Sequence, residues 1–104
     1  MSLISDISIS DISIIPNEFG DIIKILKCDE KKSEKISEVY CSWVVPNKIK
    51  AWKMQDLQTM NLFVLKGDIR FVFIDEKDEV MKVDICFSSN KLLTIPPGIW
   101  YGFM

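Results

Sequence analysis

No histidine occurs among the 104 residues. The commonest proton-transfer side chain and the commonest imidazole metal ligand are therefore both missing. Three cysteines stand at Cys28, Cys41 and Cys86, an odd number, without metal-like spacing and without an imidazole to activate them. Cys41 and Cys86 sit in apolar strand patterns and read as reduced, buried thiols, which points to the cytoplasm. The densest chemical segment is Leu93-Thr94-Ile95-Pro96-Pro97-Gly98-Ile99-Trp100-Tyr101-Gly102-Phe103-Met104. Pro96 and Pro97 cannot donate to a sheet ladder, so a strand must break there. Gly98 supplies the positive φ of a tight turn, and the aromatics beyond it resume a strand that can face a cavity. Rings such as Trp43, Trp52, Phe71 and Trp100 either stack a base or a sugar or pack against one another as core.

The elements that position these residues read as strands. Leu3 to Ile15 repeats Ile-Ser-Asp, and serine with β-branched isoleucine favours extended chain, so residues 1–15 are read as an N-terminal extended segment that edges a sheet or crosses to a second copy. Pro16 to Asp21 is turn chemistry, Ile22 to Cys28 a short strand, and Asp29 to Lys35 a charged, solvated loop. Glu38 to Val45 is rich in β-formers and predicts a strand, followed by a turn with Asn47 in the left-handed region and a strand from Ile49 to Met54. Met60–Leu65 and Ile69–Asp75 flank Lys66-Gly67-Asp68 and predict a hairpin, apolar on both faces. Val80 to Phe87 and Lys91 to Ile95 complete the series. Short, regularly spaced strands without a helical segment indicate an all-β sandwich or barrel, here one domain over 1–104.

The bulk properties narrow the partners. A net charge of −2 excludes a basic nucleic-acid surface, so any anion must be held by local cations. No apolar run reaches the ~18 residues of a membrane helix, and no secretion signal stands at the N-terminus.

Three segments in order resemble the cupin superfamily, in the branch of dTDP-4-dehydrorhamnose 3,5-epimerase and the dTDP-sugar 3,4-ketoisomerases. They are Glu38–Trp43 with Pro46 and Ile49–Lys53, then Gln58–Leu62 with Gly67 and Arg70, then Ile95–Phe103. The resemblance implies a jelly-roll β-barrel, truncated at its C-terminus because the family's general-acid tyrosine comes from a strand after the Pro-Pro-Gly motif. It also implies a dTDP-hexose ligand and a homodimer that covers open sheet edges.

The resemblance also assigns residues. The positions of the cupin metal ligands hold Lys53, Gln55, Met60 and Tyr101, a poor set for a hard divalent ion, so neither metal nor cofactor is expected. The epimerases' histidine base falls at Lys53, which is either a base desolvated by Trp52 or a cation contacting an anionic ligand. A family lysine that stabilises the enolate falls at Met60. Tyr101 is either a general acid or an aromatic filling the barrel mouth. Lys50 matches a nucleotide-diphosphate contact and Arg70 is a second phosphate candidate, while Trp52, Gln55 and Trp100 complete the expected substrate contacts. The implied activity is metal-independent isomerisation or epimerisation of a dTDP-4-keto-6-deoxyhexose for surface polysaccharide. The alternatives are a non-catalytic nucleotide-sugar or carbohydrate binder and a structural, dimerising barrel.

Overall fold

The structure, a computed structural model, describes residues 2–26 and 35–104. Cys28 and the charged run from Asp29 to Glu34 lie outside the described residues. Among the described residues the strands are β1 (Ser8–Asp11), β2 (Ile14–Ile15), β3 (Ile22–Ile23), β4 (Lys50–Met54), β5 (Met60–Phe63), β6 (Asp68–Ile74), β7 (Val80–Cys86), β8 (Lys91–Ile95) and β9 (Trp100–Phe103). Every pairing is antiparallel. One sheet has the order β1-β8-β5, a second β4-β9-β6-β7, and β2-β3 form a two-stranded ribbon.

The two larger sheets bury a common core. Phe71, Phe73, Ile85 and Tyr101 come from the four-stranded sheet, Leu93 and Ile95 from the three-stranded one, and Val64 and Ile99 from connections. Residues opposite each other across an antiparallel ladder share a face. The pairs Phe73–Tyr101 and Phe71–Phe103 therefore define the inner face of the four-stranded sheet, and Ile74–Trp100 and Val72–Gly102 its outer face. The Ile-Ser repeat forms an edge strand, β1 on β8, reinforced by an ion pair between Lys91 and Asp11.

Two sequence expectations are corrected. Lys66-Gly67-Asp68 makes no hairpin: β5 pairs with β8, while β6 pairs with β7 and β9. Gly67 has φ +78 and its carbonyl accepts the Phe87 N–H at 3.1 Å, so this segment carries the chain from one sheet to the other. A positive-φ glycine serves a corner as readily as a hairpin. Both strands are apolar because each faces the shared core rather than its sequence neighbour. The second correction concerns Glu38–Val45, which forms no ladder among the described residues. Strand propensity becomes a strand only where a neighbour supplies hydrogen bonds, and no described segment lies alongside.

Two local devices hold the sandwich together. Asp75, buried at the end of β6, accepts the N–H of Ile4 (2.9 Å), Lys77 (2.9 Å) and Glu79 (3.1 Å). It thereby closes the β6–β7 turn and fastens the N-terminal turn Ile4–Asp6 in one cluster. These donors, the Ile4 N–H foremost, hold its pKa below the usual carboxylate range against the opposing effect of burial. The second device is a β-bulge in β4. Lys50 lies opposite Phe103 and Lys53 opposite Tyr101, three residues of β4 against two of β9. The bulge presses Ala51 onto β9, where a Cβ on Gly102 would lie 2.7 Å from the Ala51 Cβ and 3.3 Å from the Lys50 carbonyl oxygen.

Each device makes a prediction. A depressed native pKa stabilises above the unfolded carboxylate value of about 4 and is lost as pH falls through the lowered native value. Asp75→Asn should lower Tm by several degrees at neutral pH, with the gap to the parent narrowing below that value. A gap constant with pH in calorimetric scans would refute the latch. Gly102→Ala should cost about 1–3 kcal/mol by overpacking, read from urea unfolding; an unchanged midpoint would mean that β4 yields freely.

Candidate active site

The bulge decides which side chains meet. In a regular strand, residues 50 and 53 would face opposite ways. The extra residue brings both onto ladder positions of the inner face, opposite Phe103 and Tyr101. Two cations thus stand on the edge strand beside the aromatic residues of the inner face. Lys50 Nζ donates to Ser42 Oγ at 3.1 Å, and Lys53 is solvent-exposed. The desolvation that a lysine base requires is not supplied by the protein alone at Lys53.

Tyr101, opposite Lys53, is only 4% exposed. Burial, foremost, pushes its pKa up; Tyr40 pushes it further, and Gln55 opposes the rise. Its phenol therefore remains neutral and able to donate a hydrogen bond. Gln55 follows β4 directly, and its carbonyl accepts the Gly98 N–H at 2.9 Å, which ties the residue to the Pro-Pro-Gly turn. The next loop is held by Gln58 Nε2 donating to Ser37 Oγ at 2.9 Å. Tyr40 was not singled out from the sequence; its one signal is its place in the β-rich run 38–45. Met60, opposite Ile95 on the other sheet, packs against the core.

Three expected substrate contacts stand elsewhere. Trp52, Trp100 and Ile74 line a shallow apolar groove on the outer face, across the sheet from Lys53 and Tyr101. Trp52 thus cannot desolvate Lys53. Arg70 is also on the outer face, in a two-point pair with Asp84 (Nε–Oδ1 2.7 Å, Nη2–Oδ2 3.1 Å). That pair raises the Arg70 pKa and lowers that of Asp84. The structure therefore brings Lys50, Lys53, Gln55 and Tyr101 to one site and separates Trp52, Trp100 and Arg70 from it. Among the described residues no three His, Cys, Asp or Glu side chains converge as metal ligands.

The site sits in a fold shared with known sugar-nucleotide enzymes. No family model matches the chain, and no curated protein matches its sequence. Among solved structures, the dTDP sugar isomerase of Desulfovibrio desulfuricans G20 superposes with a TM-score of 0.79 at 33% identity. That match covers 94% of this chain and 67% of the isomerase. The dTDP-4-dehydrorhamnose 3,5-epimerase of Elizabethkingia anophelis NUHP1 superposes with a TM-score of 0.59 over 100% of this chain and 64% of the epimerase. Its 17% identity speaks for the fold alone. The chain spans about two thirds of the length of either. With a cupin-like all-β architecture and this degree of likeness to the isomerase, the chain belongs to the cupin-like family of dTDP-sugar isomerases and epimerases.

Proposed function

We propose that this chain is a metal-independent nucleotide-sugar epimerase or isomerase. Its substrate in this reading is a dTDP-4-keto-6-deoxyhexose used for surface polysaccharide, and it acts in the cytoplasm as a homodimer. The observation that carries the reading is the cross-strand pair Lys53–Tyr101 on the inner face, beside Lys50 and Gln55. A carbon next to a ketone loses its proton when a base stands over it and a donor meets the developing enolate oxygen.

Lys53, as the free amine, takes the carbon-bound proton; the bound substrate covers the exposed lysine and supplies the desolvation that the protein alone does not. The neutral Tyr101 phenol donates its hydrogen bond to the enolate oxygen. Protonation of that carbon by water from the opposite face inverts it; when instead the neighbouring hydroxyl passes its proton to the enolate oxygen and Lys53 returns its proton to the former carbonyl carbon, the ketone moves. Lys50 holds the diphosphate as a point charge, and Gln55 bonds a sugar hydroxyl. Trp52, Trp100 and Arg70 take no part in this scheme.

One observation favours a second reading. An exposed Lys53 is suited to contact an anion, which describes a non-catalytic nucleotide-sugar binder. The two readings part in heavy water. NMR of a dTDP-4-keto-6-deoxyhexose should show deuterium entering at C3 or C5 with the parent protein. The rate should fall about 100-fold or more in Lys53→Met and in Tyr101→Phe. Saturable binding without any exchange would establish the binder instead.

A further inference from the structure

Asp75 is the one buried charged side chain among the described residues, at 2% exposure. It follows β6 directly, two residues beyond Phe73, so alternation places it on the same inner face as the Phe73–Tyr101 pair. No lysine or arginine stands within ion-pair distance of it among the described residues. Its charge is met by backbone N–H groups. Oδ1 accepts from Lys77 and Glu79, within its own turn, whereas Oδ2 accepts from Ile4, 71 residues away in the sequence. The first two bonds close the β6–β7 turn; the third ties a different part of the chain to it.

The tied part is a closed turn at the site's end of the sandwich. Leu3 N–H donates to Asp6 Oδ2 at 2.8 Å, and the Ile4 carbonyl accepts the Ile7 N–H at 3.1 Å. Ile7 packs on the core, and β1 then runs antiparallel to β8 with Ser8 opposite Thr94. That register carries residues 2–7 past the exit of β8 to the Pro96-Pro97-Gly98 turn. The Ser2 nitrogen lies 4.0 Å from where a Cβ on Gly98 would stand. Proline has no N–H, so the turn's one donor is the Gly98 N–H, and it is bonded to the Gln55 carbonyl. The turn thus has the N-terminal segment on one side and Gln55 on the other. The Gln55 side chain hydrogen-bonds the Tyr101 phenol, and Tyr101 itself follows Gly98 after Ile99 and Trp100.

We infer that Asp75 is a positioning residue of the active site: its bond to the Ile4 N–H clasps residues 2–7 against the Pro-Pro-Gly turn, and the clasped turn sets Gln55 and Tyr101. The effect on turnover rests on the reaction proposed above; the clasp itself does not. In that reaction Tyr101 meets an enolate oxygen that develops only during proton abstraction, while Lys50 holds the diphosphate throughout. A loosened turn therefore lowers kcat and leaves KM.

Two substitutions separate the clasp from the other bonds of Asp75. Ile4→Pro removes the donor. Ile4 opens its turn, where the φ of proline is accepted, and Leu3 is extended (φ −111, ψ 163), as suits a residue before proline. Asp75→Asn keeps one oxygen for the two donors of its own turn and leaves an NH2 group facing the Ile4 N–H. Ile4→Ala shortens the side chain, keeps the N–H and serves as control. In the ligand-free protein the Gly98 amide should exchange about tenfold or more faster in Ile4→Pro than in Ile4→Ala, with the Phe71 and Phe73 amides of β6 equal in the two. With a dTDP-4-keto-6-deoxyhexose in heavy water, well below Tm, Ile4→Pro and Asp75→Asn should lower kcat for deuterium entry about tenfold or more, with KM within about twofold of the parent. Equal Gly98 exchange in Ile4→Pro and Ile4→Ala, or a rise shared by Phe71 and Phe73, would overturn the clasp. A loosened Gly98 with the parental kcat would overturn the positioning role. A parent without deuterium entry would overturn the proposed reaction and the positioning role with it, while the Gly98 comparison still decides the clasp.

Discussion

Two prolines that cannot donate to a ladder set the architecture. β8 is the central strand of the three-stranded sheet and β9 an inner strand of the four-stranded sheet, and only Pro96-Pro97-Gly98-Ile99 separates them. Were β8 able to continue, it would extend its own sheet. Because the ladder must stop at Pro96, and Gly98 at φ +87 reverses the chain, the next strand falls into the opposite layer. Ile99, 1% exposed, anchors the crossing in the core. The same turn donates the Gly98 N–H to Gln55, so the crossing that joins the sheets also fixes the end of β4, where the site lies.

The placement of charge follows from that constraint and from the bulge. β9 offers its inner face to the core through Tyr101 and Phe103, and among the described residues β4 is the edge strand beside it. An edge strand is where a cation can share an inner face with core aromatics while its ammonium stays hydrated. The bulge uses this twice, at Lys50 and Lys53, and Gly102 makes room for it. A regular β4 would have turned one of the two lysines outward, and the wall would hold a single cation.

What could be read in the sequence follows physical lines. Pro96-Pro97-Gly98, Asn47 and the turn around Asn17 were legible because each rests on local backbone sterics that need no partner. Asn47 does take φ 66, and Asn17 Oδ1 accepts the Phe19 N–H at 2.9 Å. Pairing was not legible. Lys66-Gly67-Asp68 suits a corner and a hairpin alike, and only the shared core decides between them. The facing of Trp52 and Arg70 depends on one extra residue in β4 and on ladder register, which composition does not encode. Lys50 and Lys53 came from the family resemblance alone. Tyr40 passed unnoticed because its role depends on where an unpaired segment is laid.

The surface completes the argument. Ile14, Ile15 and Ile22 of the β2–β3 ribbon are exposed, and a two-stranded ribbon on its own is marginal in water. Together with Val39, Trp43 and Val45, the N-terminal half of the chain exposes the apolar strand-formers that a β protein ordinarily buries. The C-terminal half buries its own: Phe73, Leu93, Ile95 and Ile99 are nearly inaccessible. The two halves thus divide the work. Among the described residues, every buried core side chain comes from residues 60–104, and β1 and β4 add edge strands to the two sheets. The edge strand β4, with Tyr40 beside Tyr101 and Ser42 accepting from Lys50, joins the core to that exposed apolar surface.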